Sequence, residues 1–137
     1  MSASLEESLI ARARAAAQFA YAPHSGFRVG AAALADDGRV FSGCNVESAS
    51  YGLTLCAERT AIVAGVAAGV RRFRGLAVSC IDAAPESGPE ARTPCGACRQ
   101  FLSEFLADDA PIEVDGVGVF TLRELFPLPF RLEGGGG

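Results

Sequence analysis

The chain has 137 residues, half of them apolar, and a formal net charge of −4. That length fits one domain, and the negative charge argues against nucleic acid as the main partner, because phosphate binding needs a basic face. No run of about 20 uninterrupted apolar residues suggests a membrane span. Five cysteines without a signal-peptide pattern indicate a reducing compartment. We therefore expect a cytoplasmic protein whose thiols bind metal or serve catalysis.

The first half of the chain predicts a helix, a β-hairpin and a second helix. The first helix covers residues 5–20, and the segment "RVGAAALADDGRVFSGCNV" then reads as two strands joined by a turn at "DDG". After a polar loop, a second helix is expected over residues 54–69. Residues 61–70 are apolar nearly all round, so we expect this helix to be buried on more than one side.

The second half predicts strands alternating with helices. In order these are the buried strand "RGLAVSCID", the loop "AAPESGPEARTP", the helix "CGACRQFLSEFLAD", the strands "PIEV" and "VGVF", and the helical turn "TLRELF". This order is typical of an α/β fold with three α/β/α layers around a mixed five-stranded sheet. We expect one domain over residues 1–130 and a flexible glycine-rich tail over 131–137.

Three cysteines stand at the predicted starts of two helices. Cys95 and Cys98 open one helix at a spacing that puts both on the same face, and Cys56 opens the other. Helix N-termini favour thiolates because the positive end of the dipole lowers a thiol pKa. Three protein ligands leave one tetrahedral position open, which is typical of a catalytic zinc site. The pattern therefore predicts one Zn²⁺ per chain, held by these three residues.

Charged residues next to these cysteines have expected roles in catalysis. Glu58, two residues after Cys56, is placed to move protons for a water at the open position. Three thiolates leave a divalent ion with an excess negative charge. Arg59 or Arg99 could compensate for it by donating a hydrogen bond to a ligand sulfur.

Two other interpretations of the cysteines remain open at this point. In the first, Cys44 or Cys80 is a fourth ligand and the site is a closed structural one. Cys80 lies in a predicted buried strand and resembles a small apolar residue, whereas Cys44 ends a strand that could approach the metal. In the second, Cys95 and Cys98 form a redox pair, but this leaves Cys56 and Glu58 without a function.

The motifs "CAE" and "PCGACRQ" resemble the zinc signature of the cytidine deaminase family, in its small branch that acts on free nucleosides. The segments "YAPHSGFRVGAAAL", "GCNVESASYGLTLCAERTAI" and "LRELFPLPF" extend the resemblance over nearly the whole chain. It implies the family's α/β fold and zinc-dependent hydrolysis of cytidine and 2′-deoxycytidine to the uridine forms, with release of ammonia, in pyrimidine salvage.

The resemblance also implies residue roles. Phe27 would pack on the pyrimidine ring, Asn45 and Glu47 would bind the ribose hydroxyls, and the Ala57 backbone would contact the base edge with Glu58. The other implied pocket residues are Tyr51 and Phe130. The family's small members imply a homotetramer in which Phe130 reaches a neighbour's site. His24, the only histidine, stands where the family usually has tyrosine, and we expect it in a loop or at the pocket rim.

Two rival functions share these features. The chain could deaminate cytosine-containing antibiotics or modified nucleosides, although Asn45, Glu47 and Phe130 favour ribonucleosides. It could instead be a catalytically silent zinc-binding module, but Glu58 has no function in such a site. An assay with a panel of nucleosides distinguishes these alternatives.

Overall fold

A computed structural model describes residues 2–132, with side chains described from Leu9 onward. The predicted tail over 131–137 therefore lies mostly outside the described residues. No helix in the described part is long and apolar enough to cross a membrane. The helices and strands are α1 (Ser2–Ala17), β1 (Val29–Ala35), β2 (Val40–Cys44), α2 (Ala57–Ala67), β3 (Phe73–Cys80), α3 (Gly96–Leu102), β4 (Pro111–Val114), β5 (Gly118–Thr121) and α4 (Leu122–Leu125).

The five strands form one mixed sheet in the order β2-β1-β3-β4-β5. β3 and β4 are parallel, and the other neighbours are antiparallel. The β1–β2 turn lies at the predicted "DDG", where Gly38 has a φ of 94°. That left-handed backbone favours glycine, which has no Cβ to clash. The predicted fold class, including the strand count, is confirmed.

Helices cover both faces of the sheet. Along β1, the side chains of Ala31 and Ala33 face the core cluster formed with α2 and α3, whereas Ala32 faces α1. This alternation follows from the two-residue period of a strand. A Cβ at Gly30 would collide with the Ala13 carbonyl, so glycine lets α1 approach β1 closely.

Three helices begin or end elsewhere than predicted. α1 covers Ser2–Ala17 rather than residues 5–20. α2 begins at Ala57, because Leu55 still pairs with Val46 in an antiparallel bridge. α3 ends at Leu102 rather than near residue 108. The chain turns there to bring Phe105 back to the sheet, where its carbonyl accepts a hydrogen bond from the Phe73 N–H at 3.0 Å.

The expectation that α2 is buried on more than one side is wrong for the single chain. Ala61, Ile62 and Gly65 are buried against the sheet, but Val63 and Ala64 on the other side are exposed. The uniformly apolar sequence therefore reflects one buried face and one apolar face that this chain leaves uncovered.

Candidate active site

Three strand ends meet at one edge of the sheet. In the strand register, Val29 at the start of β1 pairs with Cys80 at the end of β3, and Gly30 pairs with Cys44 at the end of β2. The loops that precede β1 and follow β2 and β3 therefore leave the sheet at the same edge. These loops contain most of the predicted site residues.

Backbone bridges hold two of these loops together. Val46 and Leu55 exchange N–H···O hydrogen bonds of 2.9 Å in both directions, and Tyr21 donates to the Asn45 carbonyl at 3.0 Å. The Glu47 N–H in turn donates to the Tyr21 carbonyl at 2.8 Å. The segment around Asn45 is thus fixed between the loop before β1 and the residues that lead into α2.

The three predicted metal ligands come together. The Sγ atoms of Cys56, Cys95 and Cys98 all lie within 4.8 Å of one another. Cys56 is the N-cap of α2 and Cys95 the N-cap of α3, and Cys98 is fully buried one turn into α3. Positive helix ends therefore face the cluster, which favours thiolates there.

This donor set fits zinc. Zn–S bonds of about 2.3 Å place the sulfurs of a tetrahedral site about 3.8 Å apart, so the observed spacing needs only a small contraction around the ion. Cys44 and Cys80 are not part of the cluster, which among the described residues has three members. The closed four-cysteine alternative is therefore not supported, and one tetrahedral position remains for a non-protein ligand.

A hydrogen bond between the thiols of Cys56 and Cys98 shifts their pKa values in opposite directions. The hydrogen bond with Cys98, and after it the contact with Arg59, lower the pKa of Cys56 to about 5 despite its partial burial. The same hydrogen bond and burial raise the pKa of Cys98. Arg59 Nη2 lies 3.6 Å from Cys56 Sγ and 3.4 Å from the Thr54 carbonyl oxygen. This is the position expected for a guanidinium that withdraws charge from a ligand sulfur.

Glu58 is a buried carboxylic acid beside the cluster. Only 5% of its surface is exposed, in the first turn of α2. Burial raises its pKa to about 7, and the nearby Cys56 adds to this rise. A carboxyl group with this pKa is half protonated near neutral pH, so it can both accept and donate a proton there.

The predicted contact between Arg99 and a ligand sulfur is not among the hydrogen bonds of the described residues. Arg99 Nε and Nη1 instead donate to the carbonyls of Pro94 and Leu125, each at 2.6 Å, and Nη2 donates to Thr93 Oγ1 at 3.1 Å. All three partners lie outside the thiol cluster. Arg99 therefore fixes the loop that leads to Cys95 and ties it to the C-terminal segment.

The loop that contains Phe27 is held by the two residues predicted to bind ribose. Glu47 Oε1 accepts from the backbone N–H of His24 at 2.9 Å and of Ser25 at 3.1 Å, and Oε2 accepts from the Ser25 hydroxyl. These bonds, the Ser25 hydroxyl first, lower the pKa of Glu47. The buried Asn45 amide donates to the Phe27 carbonyl and accepts from the Val29 N–H, both at 2.9 Å. Both residues thus orient Phe27.

Two residues that the sequence patterns did not indicate, Ser25 and Asp82, also fix this loop. Ser25 accepts a hydrogen bond from the Phe27 N–H at 3.0 Å. Asp82 pairs with Arg28 through Nε and Nη2 at 2.9 Å each, and accepts from its backbone N–H at 2.8 Å. No local pattern in the sequence indicates the Arg28–Asp82 pair, because the two residues lie 54 positions apart.

A cavity of about 300 Å³ opens next to this loop. Its volume is at the lower end of the range for small-ligand sites. The ring of Tyr51 meets that of His24 edge to face across the rim, with centroids 6.5 Å apart. The lining residues are His24, Ser25, Glu47, Ser48, Tyr51 and Thr54.

The remaining two predicted substrate contacts are differently placed. Ala57 is fully buried between Cys56 and Glu58, and its carbonyl accepts from the Thr60 hydroxyl at 2.9 Å. As the first residue of α2, its N–H has no acceptor within the helix. Phe130 is not among the cavity-lining residues and is 66% exposed at the end of the described chain.

Comparison with known sequences identifies related proteins. Residues 3–113 match the family described as "Cytidine and deoxycytidylate deaminase zinc-binding region". The cytidine deaminase of Sporosarcina psychrophila is 48% identical over 131 residues, which cover 93% of this chain and 92% of that protein. The cytidine deaminase of Mycobacterium tuberculosis (strain ATCC 25618 / H37Rv) is 46% identical over 118 residues, which cover 86% and 84%.

Solved structures show the same similarity in three dimensions. The crystal structure of cytidine deaminase from Burkholderia pseudomallei superposes with a TM-score of 0.79 at 43% identity, and covers 90% of this chain and 98% of its own. That from Mycobacterium tuberculosis gives a TM-score of 0.78 at 41% identity, with coverages of 92% and 97%. The similarity therefore extends over nearly the whole fold.

Proposed function

Because the chain belongs to the family of cytidine and deoxycytidylate deaminases, we propose that it hydrolyses cytidine and 2′-deoxycytidine to uridine and 2′-deoxyuridine. One water is consumed and one ammonia is released in each turnover. The observation that carries the proposal is the meeting of three thiols with the buried carboxyl of Glu58. A purely structural metal site has no use for that carboxyl.

Cys56, Cys95 and Cys98 would hold the zinc ion through their three Sγ atoms. When bound, zinc supplies a water of lowered pKa for attack on the ring carbon that bears the amino group. Arg59 offsets part of the negative charge of the three thiolates, through its contact with Cys56. Of the three thiols, Cys98 is buried, Cys56 is half-buried and Cys95 is exposed, so one side of the cluster stays open to solvent.

Glu58 moves the protons of the reaction. It accepts one proton from the attacking water and delivers it to the ring nitrogen. It then accepts the second proton, from the hydroxyl group now on the attacked carbon, and delivers it to the amine; the C–N bond breaks, ammonia leaves and the carbonyl of uridine forms. Its pKa of about 7 suits both directions of transfer at neutral pH. Ala57, next to it, offers its free backbone N–H to the edge of the base.

The nucleoside occupies the cavity beside the Phe27 loop. Phe27 packs against the pyrimidine, and Glu47 and Asn45 bind the ribose hydroxyls with the donor and acceptor capacity that they do not use on the loop. Glu47 lines the cavity and carries a lowered pKa, so it is an ionised acceptor at neutral pH. Tyr51 closes one side of the cavity.

An ultraviolet assay with the purified, zinc-loaded protein tests this function. Absorbance changes as cytidine becomes uridine, and 2′-deoxycytidine and a cytosine-containing antibiotic complete the panel. We expect turnover of both nucleosides. No turnover of either would refute the proposal, and selective turnover of the antibiotic would establish the rival substrate class.

We also infer the assembly and setting of the enzyme. Residues 1–130 act as one domain, since both apolar clusters share one sheet. The active unit is a homotetramer that works in the cytoplasm, where the five free cysteines stay reduced. The uncovered apolar face of α2, with Val63 and Ala64, and the exposed Phe130 support contacts between copies.

In this assembly Phe130 completes the site of a neighbouring subunit. A Phe130→Ala variant, or removal of residues from Pro129 onward, should raise the KM for cytidine by about 10- to 100-fold, because a large apolar contact with the substrate is lost. Zinc content should stay unchanged. Steady-state kinetics and metal analysis measure both effects.

Hybrid oligomers show whether the contact crosses between subunits. Mixing Phe130→Ala chains with Glu58→Gln chains should restore a low KM, since an intact Phe130 then meets an intact Glu58. An active monomer in light scattering, or proven subunit exchange without recovery, would contradict the shared site.

A further inference from the structure

The side chain of Gln100 pairs with both backbone polar groups of Phe130. Gln100 Nε2 donates to the Phe130 carbonyl at 2.9 Å, and the Phe130 N–H donates to Gln100 Oε1 at 2.9 Å. The amide of one side chain thus makes two hydrogen bonds to the backbone of a residue 30 positions further along the chain. Such a pair fixes the orientation of the Phe130 backbone as well as its position.

Neighbouring contacts confine the rest of this segment. Arg99, adjacent to Gln100 in α3, donates to the Leu125 carbonyl at 2.6 Å. Further along, Arg131 lies 3.6 Å from Asp108 in an exposed ion pair. The chain from residue 125 to 131 is therefore bonded to its own subunit at three residues: Leu125, Phe130 and Arg131. The contact at Phe130 is the one made by the Gln100 amide.

The backbone is anchored, but three apolar side chains toward the end of the described chain are exposed. Leu128 is 90% exposed, Phe130 66% and Leu132 73%. Exposed apolar side chains on an anchored backbone indicate that this segment contacts a second surface; they are not typical of a flexible tail. The anchoring side chain belongs to α3, two residues after the metal ligand Cys98.

We propose that Gln100 is a positioning residue for the deaminase reaction, which sets Phe130 for insertion into the site of a neighbouring subunit. This inference rests on the proposed function and on the shared site. Gln100 touches neither substrate nor metal and acts only through the Phe130 backbone. Its effect therefore reaches the partner's substrate and leaves chemistry in its own subunit unchanged.

The test compares Gln100→Leu, Gln100→Glu and a control, Glu104→Ala, which changes an exposed residue just beyond α3. Gln100→Leu should raise the KM for cytidine by about 5- to 20-fold through two lost hydrogen bonds, with kcat and zinc content little changed. Gln100→Glu still accepts from the Phe130 N–H but cannot donate to its carbonyl, so its KM should be intermediate. Glu104→Ala should match the wild type.

Two further measurements separate positioning from a general structural role. Adding Gln100→Leu to Phe130→Ala should raise KM no further, because nothing remains to be positioned. Hybrids of Gln100→Leu chains with Glu58→Gln chains should regain a low KM, since the Glu58→Gln chains bring a correctly held Phe130.

The outcomes are distinguishable. The positioning role of Gln100 is overturned if Phe130→Ala raises KM but Gln100→Leu does not. It is also overturned if the two substitutions raise KM additively in the double variant and the hybrids do not regain a low KM. In both cases the shared site stands. If Phe130→Ala leaves KM unchanged, the shared site and the role of Gln100 both fall. If the zinc-loaded wild-type protein turns over neither cytidine nor 2′-deoxycytidine, the deaminase function itself is refuted.

Discussion

Replacing Glu58 by glutamine is expected to lower kcat for cytidine by about 100- to 10,000-fold, the range for lost acid–base catalysis. Glutamine keeps the size and much of the hydrogen bonding of the side chain but cannot take up a proton near neutral pH. The buried carboxyl, with a pKa raised to about 7, can do so. No other carboxyl group lies within two residues of the ligands Cys56, Cys95 and Cys98 in the sequence.

The measurement combines turnover with metal content. Zinc should remain at about one per chain, because Glu58 is not one of the three thiol ligands. The matched control is Glu104→Gln, the same chemical change at an exposed position, which should leave kcat unchanged. A zinc-loaded Glu58→Gln enzyme with near-normal turnover would remove Glu58 from the mechanism.

Much of this site could be predicted from local sequence because its ligands occupy helix starts. Cys56 and Cys95 are both N-cap residues, and the spacing of Cys95 and Cys98 puts them on one helix face. The β1–β2 hairpin was also readable, since alternation and the "DDG" turn are local signals. In each case the deciding interactions lie within a few residues in the chain.

The contacts that local patterns miss depend on how distant segments fold together. The sequence left open whether Arg59 or Arg99 contacts a ligand sulfur. The Arg99 guanidinium donates to the Pro94 and Leu125 carbonyls instead, and the position of Leu125 depends on the whole sheet. The pairing of Gln100 with Phe130 spans 30 residues. Composition likewise predicted that α2 is apolar, but not that one of its faces stays uncovered in the single chain. The sequence of an apolar helix does not show whether a given face packs on the sheet of its own chain or on another copy.

Asn45 and Glu47 show a further limit of residue-by-residue transfer. The resemblance assigned both to the ribose, whereas the structure shows both bonded to the Phe27 loop. The two roles are compatible, since carboxylate and amide groups each have more than two hydrogen-bonding positions. Substituting either residue should therefore disturb two of the proposed substrate contacts at once, the one to the sugar and the packing of the base on Phe27.

The ligand set is tested by replacing one thiol at a time. Cys98→Ala should abolish stable zinc binding and lower activity by about 1,000-fold or more, since metal catalysis contributes several kcal/mol and each factor of ten corresponds to about 1.4 kcal/mol. Cys98 is fully buried and its Sγ lies within 4.8 Å of the other two, and the described residues place no fourth thiol in the cluster that could take over as a ligand.

Cys44→Ser is the control, because it changes a thiol outside the cluster whose pKa is raised by burial alone. This variant should keep about one zinc per chain and near-wild-type turnover. Metal analysis after dialysis, with thermal unfolding as a second readout, decides the matter: binding of an ion to the folded state alone raises Tm, so Cys98→Ala should lose that increment and Cys44→Ser should keep it. Loss of zinc from Cys44→Ser would instead show that this thiol is a fourth ligand, and the open position on which hydrolysis depends would not exist.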